Sequence, residues 1–264
     1  MINKPLMGVA AAVVIIAAGS WYFLHSRSAV RAPPPTLASP APAAAVESGI
    51  AHPLPQGTAA GAAMTPLPAL NESDGSINEA LAQLAGASVV ADYLVPESLI
   101  RHLVVTIDNL PRQKVAVQKR PTRPLSGAFV AEGDELHATV DPQNYARYQP
   151  MVAVIRQLDM QKLAALYIHF YPLFQQAYQD LGYPSAYFND RVVNVIDLLL
   201  ASPQPQAPIE LVRPNVMYLY ADPALEKLPA GQKLLIRMGP ENAASIKAKL
   251  KELRTVIAAT PPRH

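Results

Sequence analysis

The chain has no cysteine, few aromatic residues and little net charge. Aromatic residues make up 6% of its 264 residues, and 22 basic residues against 20 acidic ones give a formal net charge of +2. Without cysteine, a disulfide framework, a thiolate zinc site, an iron–sulfur cluster and a thiol nucleophile are all excluded. The small net charge argues against a surface built for nucleic acid. Hydrophobic residues, most of them aliphatic, make up 50% of the chain and suffice for one sizeable core.

The sequence also lacks the short motifs that mark common catalytic and cofactor sites. It contains no P-loop, no glycine-rich dinucleotide turn, no HExxH zinc motif and no GxSxG serine elbow. His102 and His169 fall in helical patterns without a ligand partner at i+4, so we interpret them as structural or surface residues. We therefore expect no cofactor and no bound metal, and we assign no catalytic residue.

An uncharged apolar run near the N-terminus predicts a membrane anchor. Residues 6–24 read LMGVAAAVVIIAAGSWYFL, and a helix of this length spans roughly 28 Å, close to the hydrocarbon thickness of a bilayer. Trp21 and Tyr22 stand at its end, where aromatic rings favour the headgroup level. A cleaved signal peptide is the alternative, but its apolar region would be shorter. We expect residues 1–5 to form a cytoplasmic tail and the rest to face the periplasm from a bacterial inner membrane.

A proline- and alanine-rich stretch separates this anchor from the remainder. Residues 32–70 hold nine prolines and a single charge, Glu47, without hydrophobic periodicity. Each proline removes a backbone donor, so such a stretch is not expected to form a packed element. We predict a disordered linker over 25–70 that acts as a tether. Binding of a proline-reading partner stays open as a weaker alternative.

Residues 71–264 show helical periodicity and predict a mainly α domain, a multi-helix bundle of the orthogonal type. Ser76 and Glu79 have the spacing of a capping box, which predicts a helix that begins at Ser76 and ends at Gly86. Asp159 is predicted to cap a long helix that ends at Gly182 and carries an aromatic stripe as core. Further helices are predicted over about 89–94, 99–110, 186–200 and 241–258, and Asp222-Pro223 marks another helix start.

The helical signal fails between residues 111 and 150, where we predict an irregular basic loop and a small β-hairpin. The hairpin covers about 129–140 with a turn at Gly133. Two sets of basic side chains are candidates for contact with acidic lipids or another polyanion, although a solvated surface is the simpler interpretation. The sets are Arg112, Lys114, Lys119, Arg120 and Arg123 in the loop, and Lys247, Lys251 and Arg254 on the last helix.

Three polar groupings embedded in apolar sequence form a candidate cluster. Charges in such surroundings usually pair internally, because an unpaired buried charge is costly. We expect Asp190 or Asp197 to pair with an arginine from the C-terminal part, Arg213 or Arg237. An acid–base pair acting on a polymer is the alternative. The candidates are Asp190, Arg191, Asn194, Asp197, Glu210, Arg213 and Arg237.

These groupings also carry a family resemblance. The stretches YPSAYFNDRVVNVIDLLL and PIELVRPNVMYLYADPALEKLPAGQKLLIRMGPENAASIKAKLKEL resemble a proteobacterial, membrane-anchored family classed as a domain of unknown function. The resemblance covers about residues 66–256 and implies a bacterial envelope protein with one folded domain. It implies no activity, cofactor or catalytic residue.

Two functions of different classes follow from these observations. The first is a non-enzymatic interaction or scaffold module on a tether, whose partners are the lipid bilayer through residues 6–24 and an envelope protein or polymer. The second is an envelope-polymer hydrolase or transferase that uses paired carboxylates. The second requires Asp190, Glu210, Arg213 and Arg237 to converge on an open cleft.

Overall fold

The computed structural model describes residues 50–55, 66–134, 137–214 and 217–258. The predicted cytoplasmic tail (1–5) and transmembrane helix (6–24) lie outside these residues, as does the linker apart from 50–55 and 66–70. No helix within the described ranges combines the length and the apolar character that a bilayer crossing requires.

Helices dominate the described part of the chain, which confirms the prediction of a mainly α fold. The helices are α1 (Asp74–Ala85), α2 (Ala87–Tyr93), α3 (Leu99–Asn109), α4 (Gln143–Ala146), α5 (Gln149–Arg156), α6 (Met160–Asp180), α7 (Phe188–Leu200), α8 (Pro223–Glu226), α9 (Ala230–Met238) and α10 (Pro240–Ile257). The strands are β1 (Ala131–Glu132), β2 (Ala138–Val140), β3 (Glu210–Val212) and β4 (Leu219–Tyr220), and 3₁₀ turns cover Leu70–Glu72 and Val117–Lys119.

Several helix ends follow the local signals in the sequence. The Asp159 carboxylate accepts the backbone N–H groups of Gln161 and Lys162 at 2.9 and 3.1 Å, so it caps α6 as predicted. Asp222 caps α8 in the same way through the N–H of Ala224. α9, which the periodicity did not predict, ends at Gly239, and α10 begins directly after it with Pro240 at its first position.

The predicted capping box at the start of α1 is wrong. The helix begins at Asp74, so Ser76 lies inside its first turn rather than at its cap. Asp74 instead caps a different helix: its two carboxylate oxygens accept the backbone N–H groups of Ser98 and Leu99 at 2.7 and 3.0 Å, at the start of α3. The cap is formed across the tertiary structure because α1 packs beside the start of α3.

Helices α6 and α7 each pack against both α3 and α10, and these four helices form the centre of the main core. The aromatic stripe of α6 is buried there as predicted, with Tyr167, Phe170, Phe174 and Tyr178 each at most 7% exposed. Phe188 at the start of α7 is fully buried, and its ring stacks on that of Phe174. This packing fixes the N-terminal end of α7 firmly against α6.

The predicted hairpin exists, but it is only half of a four-stranded antiparallel sheet. The strand order is β1-β2-β3-β4, with Ala131 opposite Val140, Ala138 opposite Leu211, and Leu211 opposite Tyr220. The segment 209–214, which contains the cluster candidates Glu210 and Arg213, therefore supplies strand β3. Region 111–150 is also less irregular than predicted, because it contains α4 and the beginning of α5.

Candidate functional site

A short part of the predicted linker packs onto the folded domain. Residues 50–55, which read IAHPLP, lie against the N-terminal end of α7, and Leu54 packs against the main core. Leu67 packs there as well, and Leu70 is buried. The prediction of disorder is thus wrong for these parts of the linker. We call residues 50–55 the docked segment and the residues Tyr187, Asn189 and Asp190 the docking site.

Asp190 binds the docked segment through two consecutive backbone amides. Its Oδ2 accepts the N–H of Ala51 at 3.1 Å, and its Oδ1 accepts the N–H of His52 at 2.7 Å. Hydrogen bonds to an ionised carboxylate are roughly twice as strong as neutral ones. Asp190 also lies in the first turn of α7, where a negative charge is favoured by the helix dipole. The carboxylate is therefore a recognition group for main-chain N–H donors.

Asn189 binds the docked segment at the main-chain carbonyl of His52. Its Nδ2 donates to the carbonyl oxygen of His52 at 2.8 Å and to that of Ile257, the last residue of α10, at 3.0 Å. Its Oδ1 accepts the hydroxyl of Tyr167 at 3.2 Å. His52 is thus held at its N–H by Asp190 and at its C=O by Asn189. The Asn189 side chain is fully buried, so the loss of any one of these hydrogen bonds would leave a buried polar group unpaired and destabilise the fold.

The third member of the docking site is Tyr187. Its hydroxyl accepts the N–H of Leu54 at 3.4 Å, a longer bond than those made by the two neighbouring residues. Its ring lies 5.3 Å from that of Tyr171, centroid to centroid. Within the docked segment, the main-chain groups that the docking site binds therefore come from Ala51, His52 and Leu54.

A shell of hydrogen bonds from α6 holds the docking site in place. The Tyr171 hydroxyl donates to Gln175 Oε1 at 2.8 Å and accepts the backbone N–H of Asn189 at 3.3 Å. Gln175 in turn accepts the N–H of Phe188 and donates to the carbonyl of Ala186. Burial raises the pKa of Tyr171 far above its ordinary value, so the hydroxyl remains a proton donor. The binding groups are preorganised by this shell.

Asp197 lies further along α7 and pairs with Arg254 of α10. The salt bridge is bidentate: Arg254 Nε lies 2.5 Å from Asp197 Oδ1, and Arg254 Nη2 lies 2.9 Å from Oδ2. The hydrogen bond from Arg254 lowers the pKa of Asp197, and the charges of Arg254 and His52 lower it further against the opposing effect of burial. Asp197 therefore pairs with a C-terminal arginine as expected, but the partner is neither Arg213 nor Arg237.

A second ion-pair centre surrounds Asp108, which the sequence reasoning missed. Its side chain is 3% exposed, and its carboxylate lies 2.7 Å from Arg112 Nη2 and 3.0 Å from Arg191 Nη2. The hydroxyl of Tyr183 approaches the same carboxylate at 3.4 Å. The available signal was spacing: Ile100, Val104 and Asp108 recur every four residues on α3, so the charge falls on a buried stripe.

The remaining residues of the candidate cluster lie on other elements. Glu210 is exposed on β3, Arg213 is exposed just after it with its guanidinium 5.3 Å above the Tyr218 ring, and Asn194 is exposed on α7. Arg237 is on α9, where its charge acts on the buried hydroxyls of Tyr148 and Tyr220. Burial raises the pKa of Tyr220 to about 12. The structure thus divides the candidate cluster between α7, the sheet and α9.

The two basic sets also divide into engaged and exposed residues. Arg112 and Arg254 pair with acids, Arg123 donates to the carbonyl of Ala91, and Lys247 donates to that of Ser202. Burial lowers the pKa values of both Arg120 and Lys247. Lys114, Lys119 and Lys251 are exposed, and Arg112 and Arg123 are exposed as well despite their contacts. On α10, Lys247 and Arg254 are half-buried and bonded within the domain, whereas Lys251 is exposed.

A concave surface of about 670 Å³ lies between α1 and α2. Apolar residues such as Ala82, Val90 and Leu94 line it, with an acidic rim that includes Asp74. Its polar side chains serve the fold: Asp74 caps α3, and Asn78 donates to the carbonyls of Asp74 and Pro96. We therefore place the candidate site at the docking site.

Over the ranges that the structure covers, no group of three or more histidine and acidic side chains could hold a metal ion.

A family model described as protein of unknown function (DUF3014) matches residues 99–254. The chain therefore belongs to this family, which confirms the resemblance to a domain of unknown function over that range. The match includes all three residues of the docking site, whereas the docked segment, α1 and α2 lie outside it. No curated protein and no solved structure matches the chain.

Proposed function

We propose that this member of the DUF3014 family is a membrane-tethered, non-enzymatic interaction module that binds an extended, proline-containing segment of a partner protein at its docking site. One observation carries the proposal: the docked segment is held through its main chain by Asp190, Asn189 and Tyr187. Main-chain recognition by fixed polar side chains is a common basis of peptide binding.

The chemistry of the docked segment supports this class of ligand. His52 precedes Pro53, and Leu54 precedes Pro55, and a residue before proline is restricted to extended conformations. An extended backbone points its N–H and C=O groups outward, where side chains of a receptor can reach them. Less conformational entropy is then lost on binding, because proline has already restricted the chain.

The alternative of a hydrolase or transferase finds less support. Acid–base catalysis by carboxylates such as Asp190 and Glu210 would need side chains that reach one substrate and exchange protons with it, but Asp190 lies on α7 and Glu210 on β3. Asp190 accepts two main-chain N–H groups, and Asp197 is occupied by the guanidinium of Arg254. Both arrangements favour binding and structure over proton transfer.

The tether and the location are also part of the proposal. Residues 6–24 would anchor the chain in a proteobacterial inner membrane, with residues 1–5 in the cytoplasm and the domain in the periplasm, facing an envelope protein or polymer. Extraction tests this part: the full chain should stay in the membrane fraction at high salt and alkaline pH. Protease added to spheroplasts should digest the linker. Release at high salt, or protection of the linker from protease, would contradict the proposed anchor or orientation.

A peptide titration tests the binding site. The full chain is prepared in detergent with residues 50–55 replaced by glycine and serine, and a labelled peptide of residues 48–57 is added. We expect saturable binding that Asp190→Ala weakens at least about 10-fold, because two charge-assisted hydrogen bonds are lost. Asp92→Ala, at an exposed carboxylate of α2, is the matched control and should leave the affinity unchanged. Absence of binding at millimolar peptide to the folded chain would refute the proposal.

A further inference from the structure

We propose that the docked segment is a built-in competitor, so that the docking site is closed in the resting chain and a partner binds only by displacing residues 50–55. This inference concerns the regulation of the same site and rests on the proposed function. Residues 50–55, a ligand-like sequence within the linker, would then lower the apparent affinity of the chain for its partner.

Competition follows from the polar atoms that the docked segment occupies. Both carboxylate oxygens of Asp190 and the amide nitrogen of Asn189 are engaged by residues 51 and 52. A partner that used the same recognition groups would need these atoms, and they serve one main chain at a time. Binding of the docked segment and binding of the partner are therefore mutually exclusive.

The receptor and its occupant also belong to different parts of the chain. Tyr187, Asn189 and Asp190 lie within the range that the family model matches, while residues 50–55 precede that range by more than forty positions. The docking site is thus part of the family domain, and the segment that fills it is an addition from the linker. This is the arrangement expected of a tethered ligand.

The strength of the competition can be calculated from one measured constant. Ten residues, 56–65, separate the docked segment from the next described residue. A ligand on a short connection acts at an effective concentration on the order of millimolar. If the free peptide 48–57 binds the open site with a Kd near ~100 µM, the closed chain should bind the same peptide about 10-fold more weakly.

The test compares three forms of the full chain by titration with the labelled peptide 48–57. These are the unchanged chain, a Pro53→Gly/Pro55→Gly variant that weakens docking, and a Pro40→Gly/Pro42→Gly variant as the matched control elsewhere in the linker. We expect the first variant to bind the peptide more tightly than the unchanged chain, approaching the affinity of the chain whose residues 50–55 are replaced. The control should bind like the unchanged chain.

Hydrogen exchange supplies a readout that needs no added ligand. The amide of His52 should be protected in the unchanged chain and should exchange at least 10-fold faster after Asp190→Ala, whereas Asp92→Ala should not alter it. Equal peptide affinity of the closed and segment-replaced chains would overturn competition while leaving the proposed binding function intact. An unprotected His52 amide would also overturn competition, and the titration of the segment-replaced chain with peptide 48–57 would then decide the proposed function by itself. If even the segment-replaced chain fails to bind, both proposals fall together.

Discussion

Arg191 and Asp108 lie 83 residues apart in the sequence and contact each other twice in the structure. Arg191 Nη2 lies 3.0 Å from Asp108 Oδ1 and donates to the backbone carbonyl of Asp108 at 2.6 Å. The pair joins the C-terminal end of α3 to the first turn of α7, close to the docking site. The carboxylate is almost fully buried, whereas the Arg191 side chain keeps 27% of its surface in solvent. This contact holds the first turn of α7 in place against α3.

Replacement of Asp108 by alanine should destabilise the domain by about 3 kcal/mol, because two arginines lose a buried partner. We expect a loss of free energy at the lower end of the range typical of buried ion pairs. Arg191 and Arg112 are partly exposed, so water can solvate their guanidinium groups once the carboxylate is gone. Urea unfolding measures the change. Asp180→Ala removes the exposed pair with Arg101 and should cost less than about 1 kcal/mol. Similar losses in the two variants would show that Asp108 is not a buried anchor.

Replacement of Arg213 by alanine should change the free energy of unfolding by less than about 1 kcal/mol. The sequence alone favours a buried pair and a large loss, but the structure gives this exposed side chain a cation–π contact with Tyr218. Thermal unfolding of Arg213→Ala beside Arg191→Ala measures the contrast. A larger drop in Tm for the Arg213 variant would contradict the placement of this residue at the edge of the sheet.

Two helical glycines should respond to alanine in opposite directions. A Cβ at Gly231 in α9 would lie 2.7 Å from Leu199 Cδ2 and 3.3 Å from Leu110 Cβ, so overpacking should cost about 1–3 kcal/mol. A Cβ at Gly75 in α1 meets nothing within 4 Å, and alanine there should stabilise by about 0.5 kcal/mol through helix propensity. Chemical unfolding of both variants gives the two signs, and a stabilising Gly231→Ala would refute the close packing of α9.

The pair of Asp197 and Arg254 should contribute stability that depends on pH. The pKa of Asp197 is lowered in the folded state, so the folded chain binds this proton more weakly than the unfolded chain, in which an aspartate has a pKa of about 3.9. The contribution is therefore complete above the unfolded pKa and is lost as the pH falls through the folded one. Because the carboxylate is about half exposed, we expect less than about 1 kcal/mol.

Unfolding of the unchanged chain and of Asp197→Asn at pH 7 and pH 3 measures this term. The unchanged chain should be the more stable at pH 7, and the difference should shrink at pH 3. In an Arg254→Ala background the same substitution should show a much smaller pH dependence, because the main cause of the lowered Asp197 pKa is then absent. A difference that persists at pH 3 would assign the effect of Asp197 to packing rather than to charge.

Several features of this protein are determined by short stretches of sequence. The cap at Asp159, the end of α6 before Gly182 and the start of α10 at Pro240 depend on residues within one or two helical turns. The buried stripe of α6 follows from helical spacing alone. Hydrogen-bond geometry and periodicity act over these distances, so a sequence without any structure predicts a mainly helical domain and the hairpin before α4.

The choice of partners for charged and polar groups was decided only by the tertiary structure. Asp74 caps α3 rather than its own helix, Asp197 pairs with Arg254, and β3 joins a hairpin seventy residues earlier in the chain. The docking of His52 on Asn189 and Asp190 belongs to the same class. Embedding a charge in apolar sequence indicates that it needs a partner, but which partner is near depends on how helices and strands pack. Residues distant in the chain are brought within 3 Å by that packing, and no local pattern specifies it.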